Sequence, residues 1–191
     1  MSSDRTVLIW NTSTGEVVVG PLQGHECGVL SVAFSPDASQ LATGAEDGSI
    51  RVWNLVSGEL VVISFLANLG ENRGVLALAW TGEKQLICAA YYKFIVIFNP
   101  VTGSSLYRSP NARDNWIRSI TTYCEGRCIA TGSEDGHIIL WDTVGEPQKF
   151  ADAYAGANEV YAVAASPNGC YLAGGYRDHN ICLLNLAFDD E

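Results

Sequence analysis

The sequence is short of charge, and shortest of positive charge. Of its 191 residues only 17% are charged, with 11 Lys and Arg against 21 Asp and Glu, a formal net charge of −10. Non-specific binding to nucleic acid or to an anionic membrane needs a basic face, so neither partner is expected. No apolar run reaches the roughly 20 residues of a membrane helix. The opening Met1-Ser2-Ser3-Asp4-Arg5 lacks the charged, apolar and cleavage regions of a signal peptide. The six cysteines are therefore read as reduced thiols, and a cytoplasmic or nuclear location is expected. No Gly-x-Ser-x-Gly elbow, Walker loop or dinucleotide fingerprint is present. The three histidines, His25, His137 and His179, lie far apart. Cys124-Glu125-Gly126-Arg127-Cys128 has a ligand-like spacing, but no second pair closes a tetrahedron. Neither metal nor cofactor is expected.

What the chain has in quantity is apolar residues, at 48%, together with 19 Gly and five Trp. That suffices for a sizeable core and argues against disorder. The apolar residues lack the 3.6 spacing of an amphipathic helix and fall in short runs rich in Val, Ile, Leu and aromatics. These runs recur. Trp10, Trp53, Phe98, Trp141 and Leu184 stand 43, 45, 43 and 43 residues apart. Around them the text repeats: Asp4 to Asn11 matches Asp47 to Asn54 and Asp135 to Asp142, with weaker copies at Asp178 to Asn185 and Tyr92 to Asn99.

Each period holds four strand-like runs. In the second they are Val29 to Phe34, Leu41 to Ala45, Ser49 to Asn54 and Glu59 to Ile63. Turn compositions separate them: Ser35-Pro36-Asp37-Ala38, Glu46-Asp47-Gly48 and Val56-Ser57-Gly58. Four antiparallel strands in about 43 residues is the size of a propeller blade. The second period resembles a WD repeat in its Gly24-His25, its Val32-Ala33-Phe34-Ser35-Pro36-Asp37, its Leu41-Ala42-Thr43-Gly44, its Asp47-Gly48 and its Trp53-Asn54. The resemblance covers about residues 4 to 186, and the wording Gly20 to His25 is similar to WD-repeat regions of large fungal proteins.

The resemblance implies an all-β propeller, partial at about 4.4 blades, with residues 1–191 as one region. Its parts are a half blade (4–20), three blades (21–63, 64–108 and 109–150, the second divergent) and a last blade without its outer strand (151–186). Propellers of this family mostly close with seven blades in about 300 residues. Two arrangements follow. Glu16 to Val19 could complete the last blade and close a four-blade ring. In an open arc, Val7, Ile9 and Trp10 would instead face an uncovered side, and unpaired edges would favour self-association. The chain then reads as a fragment, a truncated product or a piece completed by another chain.

The resemblance also implies a hydrogen-bonded tetrad, complete only in the second period: His25, Thr43, Asp47 and Trp53. The fourth period keeps Thr131, Asp135 and Trp141 but has Arg113 in place of the His. The third has Cys88, Tyr92 and Phe98, and the fifth Gly174, Asp178 and Leu184. Those three blades are expected to rely on apolar packing. His25, Thr43 and Asp47 share residue types with a hydrolase triad, but a Trp completes the set and no nucleophile elbow is present.

In a propeller the loops between second and third strands, and those entering each first strand, share the narrow top face. Those positions read Glu46 in blade two and Tyr91 in blade three. They read Trp116, Arg118 and Glu134 in blade four, and Tyr161 and Arg177 in blade five. Tyr, Trp and Arg are enriched in interface hot spots. An alternative has Trp116 buried in place of the lost tetrad. The expected partner is another protein or a peptide, and Arg pairing would suit an acidic one. Cullin-ligase adaptors of this family often show Trp-Asp-x-Arg. Here Trp53 precedes Asn54-Leu55-Val56 and Trp141 precedes Asp142-Thr143-Val144, without the Arg. The leading expectation is a non-catalytic scaffold or sensor. The alternatives are an enzyme on a propeller and a remnant of a longer repeat protein without independent function.

Overall fold

The computed structural model describes residues 2–65, 74–82, 86–90, 93–109, 115–143, 148–154 and 158–186. Tyr91, Tyr92 and Arg113 lie outside them. Among the described residues seventeen strands form five antiparallel sheets, each a simple meander in chain order. The first sheet has two strands, β1 (Val7–Trp10) and β2 (Val17–Leu22). The second has β3 (Val29–Phe34), β4 (Gln40–Ala45), β5 (Ser49–Asn54) and β6 (Leu60–Phe65). The third has β7 (Val75–Trp80), β8 (Leu86–Ala90), β9 (Ile95–Phe98) and β10 (Ser105–Arg108). The fourth has β11 (Ile117–Tyr123), β12 (Cys128–Ser133), β13 (His137–Asp142) and β14 (Gln148–Tyr154). The last has β15 (Val160–Ala165), β16 (Tyr171–Tyr176) and β17 (Ile181–Asn185).

The turns explain why so short a repeat suffices. After the third strand an Asn side chain replaces a backbone turn partner: Asn11, Asn54 and Asn99 each accept two backbone N–H groups at 2.8 and 3.1 Å, two and three residues on. Central strands are buried on both faces, so β9 and the middle of β13 read as continuous apolar runs, while Ser49 and Arg51 interrupt β5.

The core is a series of slabs between successive sheets. Val52, Val75, Trp80 and Phe98 meet between the second and third. Ile97, Ile117, Ile129 and Trp141 meet between the third and fourth, and Leu140, Val160, Val163 and Leu172 between the fourth and fifth. Polar groups cross the same joints. Ser31 Oγ donates to Val75 O at 2.8 Å, Trp80 Nε1 donates to Ala33 O at 2.8 Å, and Val163 N donates to Ser119 Oγ at 3.0 Å.

The joints are tight because glycine sits in them. A Cβ on Gly44 in β4 would lie 2.6 Å from the Val75 side chain, and one on Gly132 in β12 would lie 2.6 Å from Val160 Cγ1. No side chain longer than hydrogen fits at either place without movement of the neighbouring sheet.

At the first sheet, Val7 and Ile9 do not face an uncovered side. They share one face of β1 and pack on Leu41 and Trp53, while Leu8 and Trp10, on the other face, are exposed. β2 pairs with β1 and, among the described residues, not with the last sheet, so it does not close a four-blade ring.

Gly44→Ala is expected to cost about 1–3 kcal/mol through overpacking. Gly175→Ala, whose new Cβ would meet nothing nearer than Ala162 Cβ at 3.9 Å, is expected to change stability by less than about 0.5 kcal/mol. Urea unfolding of both variants checks this, and equal midpoint shifts would contradict the tight joint.

Candidate functional site

Two groups of side chains stand out, one buried and one on the surface. The buried group lies in the second sheet. Strand alternation puts Ser49, Arg51 and Trp53 on one face of β5, and the register sets Thr43 of β4 opposite Arg51. Trp53 Nε1, which can only donate, lies 2.9 Å from Thr43 Oγ1. Thr43 Oγ1 lies 2.6 Å from His25 Nε2, and His25 Nδ1 lies 3.1 Å from Ser49 Oγ. A single run of donors satisfies the chain: indole to hydroxyl, hydroxyl to Nε2, and Nδ1–H to Ser49. That tautomer is inferred from the donor count. It requires a neutral imidazole, and burial holds His25 well below its ordinary value, at about 4, with the Arg51 charge adding to the effect and Asp47 opposing it.

Asp47 stands elsewhere than the expected tetrad would have it. Its exposed carboxylate accepts the Ser49 backbone N–H at 2.8 Å, shaping the turn, and the Ser49 hydroxyl faces the imidazole. Ser49 was not singled out from the sequence. Its only signal is that it shares a strand face with Trp53. The network cannot serve as a hydrolase triad, because Thr43 and Ser49 are fully buried and out of reach of a substrate.

The fourth sheet departs from the expectation of apolar packing alone. Trp141 Nε1 donates to Thr131 Oγ1 at 2.9 Å, and Asp135 Oδ1 accepts the His137 N–H at 3.0 Å. In the fifth sheet Asp178 accepts from Asn158 Nδ2 at 2.7 Å and Asn180 Nδ2 at 2.8 Å. Gly174 and Leu184 offer no such side-chain bond there.

The surface group lies at the end of the sheets where second strands turn into third strands. Backbone bonds bring the entry to each first strand beside that turn: Glu46 N to Gly28 O at 3.0 Å, Glu134 N to Trp116 O at 3.0 Å and Arg177 N to Glu159 O at 2.9 Å. On the fourth sheet Arg118 grips Glu134 through Nε, at 2.7 Å, and through Nη2. Its guanidinium carbon lies 5.1 Å from the centre of the Trp116 ring, in cation–π range. Trp116 is half-buried rather than fully so. On the fifth sheet Glu159 takes Arg177 Nη1 at 2.7 Å on one oxygen and the Tyr161 hydroxyl at 2.8 Å on the other.

The two sets feel each other. The Tyr161 hydrogen bond holds the Glu159 carboxyl below its usual range, with the Arg177 and Arg118 charges acting the same way. The structure thus brings Trp116, Arg118, Glu134, Tyr161 and Arg177 together on neighbouring sheets. Glu46 stands on the second sheet. Glu159, which joins Tyr161 to Arg177, was not singled out from the sequence, although it precedes its first strand as Trp116 does. Among the described residues, no group of three or more His, Cys, Asp and Glu side chains is placed to hold a metal ion. Among the same residues no helix is long and apolar enough to cross a membrane.

The profile of the WD domain, G-beta repeat, matches residues 16–54, 104–142 and 148–185. The chain is 26% identical over 145 residues to the guanine nucleotide-binding protein subunit beta of Arabidopsis thaliana, covering 73% of this chain and 38% of that one. It is 30% identical over 159 residues to WD repeat-containing protein 1 of Gallus gallus, covering 78% and 25%. It is 26% identical over 187 residues to the periodic tryptophan protein 2 homolog of Dictyostelium discoideum, covering 97% and 20%. The chain therefore spans well under half the length of these relatives. Among solved structures, a chain in the crystal structure of a mitotic checkpoint complex superposes with a TM-score of 0.83 at 23% identity, covering 97% of this chain and 57% of that one. That likeness identifies the sheets as propeller blades.

The first matched segment contains His25, Thr43 and Trp53, and their network sets a pH dependence. The unfolded chain takes up the His25 proton near pH 6.5, whereas the folded chain resists until about 4. The contribution to stability is therefore complete above pH 6.5 and is lost as pH falls toward 4. Urea unfolding at pH 7.5 and pH 5 should show wild type more stable than His25→Gln at the higher pH, with the gap narrowing by about 2 kcal/mol at the lower. A gap independent of pH would mean that His25 is not held neutral.

Proposed function

Because the chain belongs to the WD-repeat family, we propose that it is a non-catalytic protein-interaction module. Its partner, a protein or peptide, docks on the end of blades four and five that carries Trp116, Arg118, Glu134, Tyr161 and Arg177. The observation that carries this reading is the set of internal ion pairs: Arg118 on Glu134, and Arg177 with Tyr161 on Glu159. They hold two long side chains and two aromatic rings in fixed positions on the surface. Side chains fixed before docking lose less entropy on docking, and these residue types dominate interface energetics.

The pairing also bears on the kind of partner. Both guanidiniums already hold a carboxylate, so an acidic ligand would have to compete with Glu134 or Glu159 for their charge. A partner that lays an aromatic or aliphatic group between Trp116 and Tyr161, and leaves the pairs intact, avoids that cost. No converging set of acid, base and nucleophile at this end supports a catalytic alternative. Thiols without a disulfide fit the cytoplasm or nucleus.

Tyr161 is 47% exposed, and its truncation should cost about 2 kcal/mol or more of affinity. Val56, 92% exposed in the turn between β5 and β6 at the opposite end, should cost almost nothing. The test is capture of partners from cell lysate by wild type, Tyr161→Ala and Val56→Ala, followed by titration of the captured species. Loss with Tyr161→Ala alone is expected. Loss with Val56→Ala and retention with Tyr161→Ala would put the binding face at the other end.

A further inference from the structure

The hairpin between β11 and β12 holds a second feature, unconnected with the docking face. Its last paired residues are Tyr123 and Cys128, and Cys124 follows Tyr123 directly. The turn runs through three successive residues in the left-handed region, Cys124 (φ 50°), Glu125 (φ 56°) and Gly126 (φ 81°). Non-glycine residues rarely adopt that conformation, and two in a row are rarer still. The Arg127 N–H donates to Cys124 O at 3.0 Å, which folds the chain back on itself and sets Cys128 one residue beyond the closing bond. Cys124 is exposed and Cys128 half-buried, and both are free thiols. This is the pair whose spacing suggested metal ligands in the sequence, but among the described residues no third His, Cys, Asp or Glu is placed to hold a metal ion with it.

We propose that Cys124 and Cys128 are a reversible oxidation site, an intrahairpin dithiol that hydrogen peroxide converts to a disulfide. The exposed Cys124 sulfur attacks a peroxide oxygen. An S–O bond forms, the O–O bond breaks, and water leaves with the thiol proton, so that Cys124 becomes a sulfenic acid. The Cys128 sulfur then attacks the Cys124 sulfur. The S–S bond forms, the S–O bond breaks, and a second water carries off the Cys128 proton. Two thiols lose two electrons and one peroxide gains them. A small thiol reductant reverses the change by exchange.

The order of attack follows from the surroundings. Burial, the neighbouring Cys124 and the charge of Asp142 push the Cys128 thiol up to about 11, so it is the slower of the two to meet peroxide and resolves the sulfenic acid only because that sulfur is held in the same turn. The turn is also placed to report its state. Gly126 O accepts the Gly82 N–H of blade three at 3.4 Å, and Glu125 and Gly126 form part of the wall of a groove of about 510 Å³ shared by blades two, three and four. Locking the turn would stiffen that wall.

The test uses the full chain as purified. It is treated with hydrogen peroxide, alkylated and mapped with trypsin, which cleaves at Arg127 between the two cysteines. Oxidised protein should lose the mass of two hydrogen atoms, link the peptide ending at Arg127 to the one beginning at Cys128, and revert with dithiothreitol. Cys27 and Cys170 should stay open to alkylation at the same dose. Cys128→Ser should stop at a Cys124 sulfenic acid that dimedone traps, and this variant tests the step even if Cys124→Ser proves unstable. Three results would each overturn the proposal. They are both thiols alkylated after peroxide, Cys124 linked to Cys170, or Cys124 linked to a second chain.

Discussion

The rest of the structure depends on how closely one blade seats on the next. Val75 lies over Gly44, and Val160 lies over Gly132, with no room for a methyl group between. This contact fixes the distance between neighbouring sheets, and close packing on both sides makes the joint stiff. Serine hydroxyls at the same joints tie backbone to backbone across the gap, Ser31 to Val75 and Ser119 to Val163. Stability is thus a sum of neighbouring joints, as in other repeat proteins. The buried Trp53–Thr43–His25 network acts within one blade and does not replace the joints between blades.

The surface group follows from the same seating. Arg118 comes from the first strand of one blade and Glu134 from the turn between its second and third strands, and Glu159 with Tyr161 and Arg177 come from the same two places in the next. Each blade could make its own ion pair in isolation. Only the fixed spacing of blades four and five puts Arg118 close enough to act on Glu159 and Tyr161. Loops carry the recognition chemistry because the sheets beneath hold them still.

Much of this was legible in the sequence, for a physical reason. A propeller blade is a local structure: its strands pair with their sequence neighbours, so turn residues and alternation nearly determine it. β1, β3 and β5 fall where the residue pattern put them. The family resemblance was equally legible, since Asp47-Gly48 and Trp53 recur at the same spacing in Asp135-Gly136 and Trp141, and Gly24-His25 precedes the first of them.

What escaped the sequence depends on contacts between strands or blades. Ser49, not Asp47, faces His25, because a two-residue step keeps Ser49 on the face of Trp53. Val7 and Ile9 are covered because β1 turns that face onto Trp53. Glu159 looks like an ordinary loop carboxylate until Tyr161 and Arg177 are seen to share it. The positive φ at Cys124 has no signature in Cys124-Glu125-Gly126-Arg127-Cys128 at all.

A double-mutant cycle at the joint between blades four and five tests the central claim most directly. Gly132→Ala introduces a Cβ that would lie 2.6 Å from Val160 Cγ1, and Val160→Ala removes that atom, leaving Val163 Cγ1 at 2.9 Å and the Cβ of residue 160 at 3.3 Å, so the worst contact is relieved and a smaller one stays. Urea unfolding of wild type, both single variants and the double variant gives the coupling free energy. If the seating of Val160 on Gly132 sets the joint, the double variant is more stable than the sum of the single losses predicts, by about 1 kcal/mol or more. Additive losses would show that the two residues do not constrain each other and that the joint is held by something else.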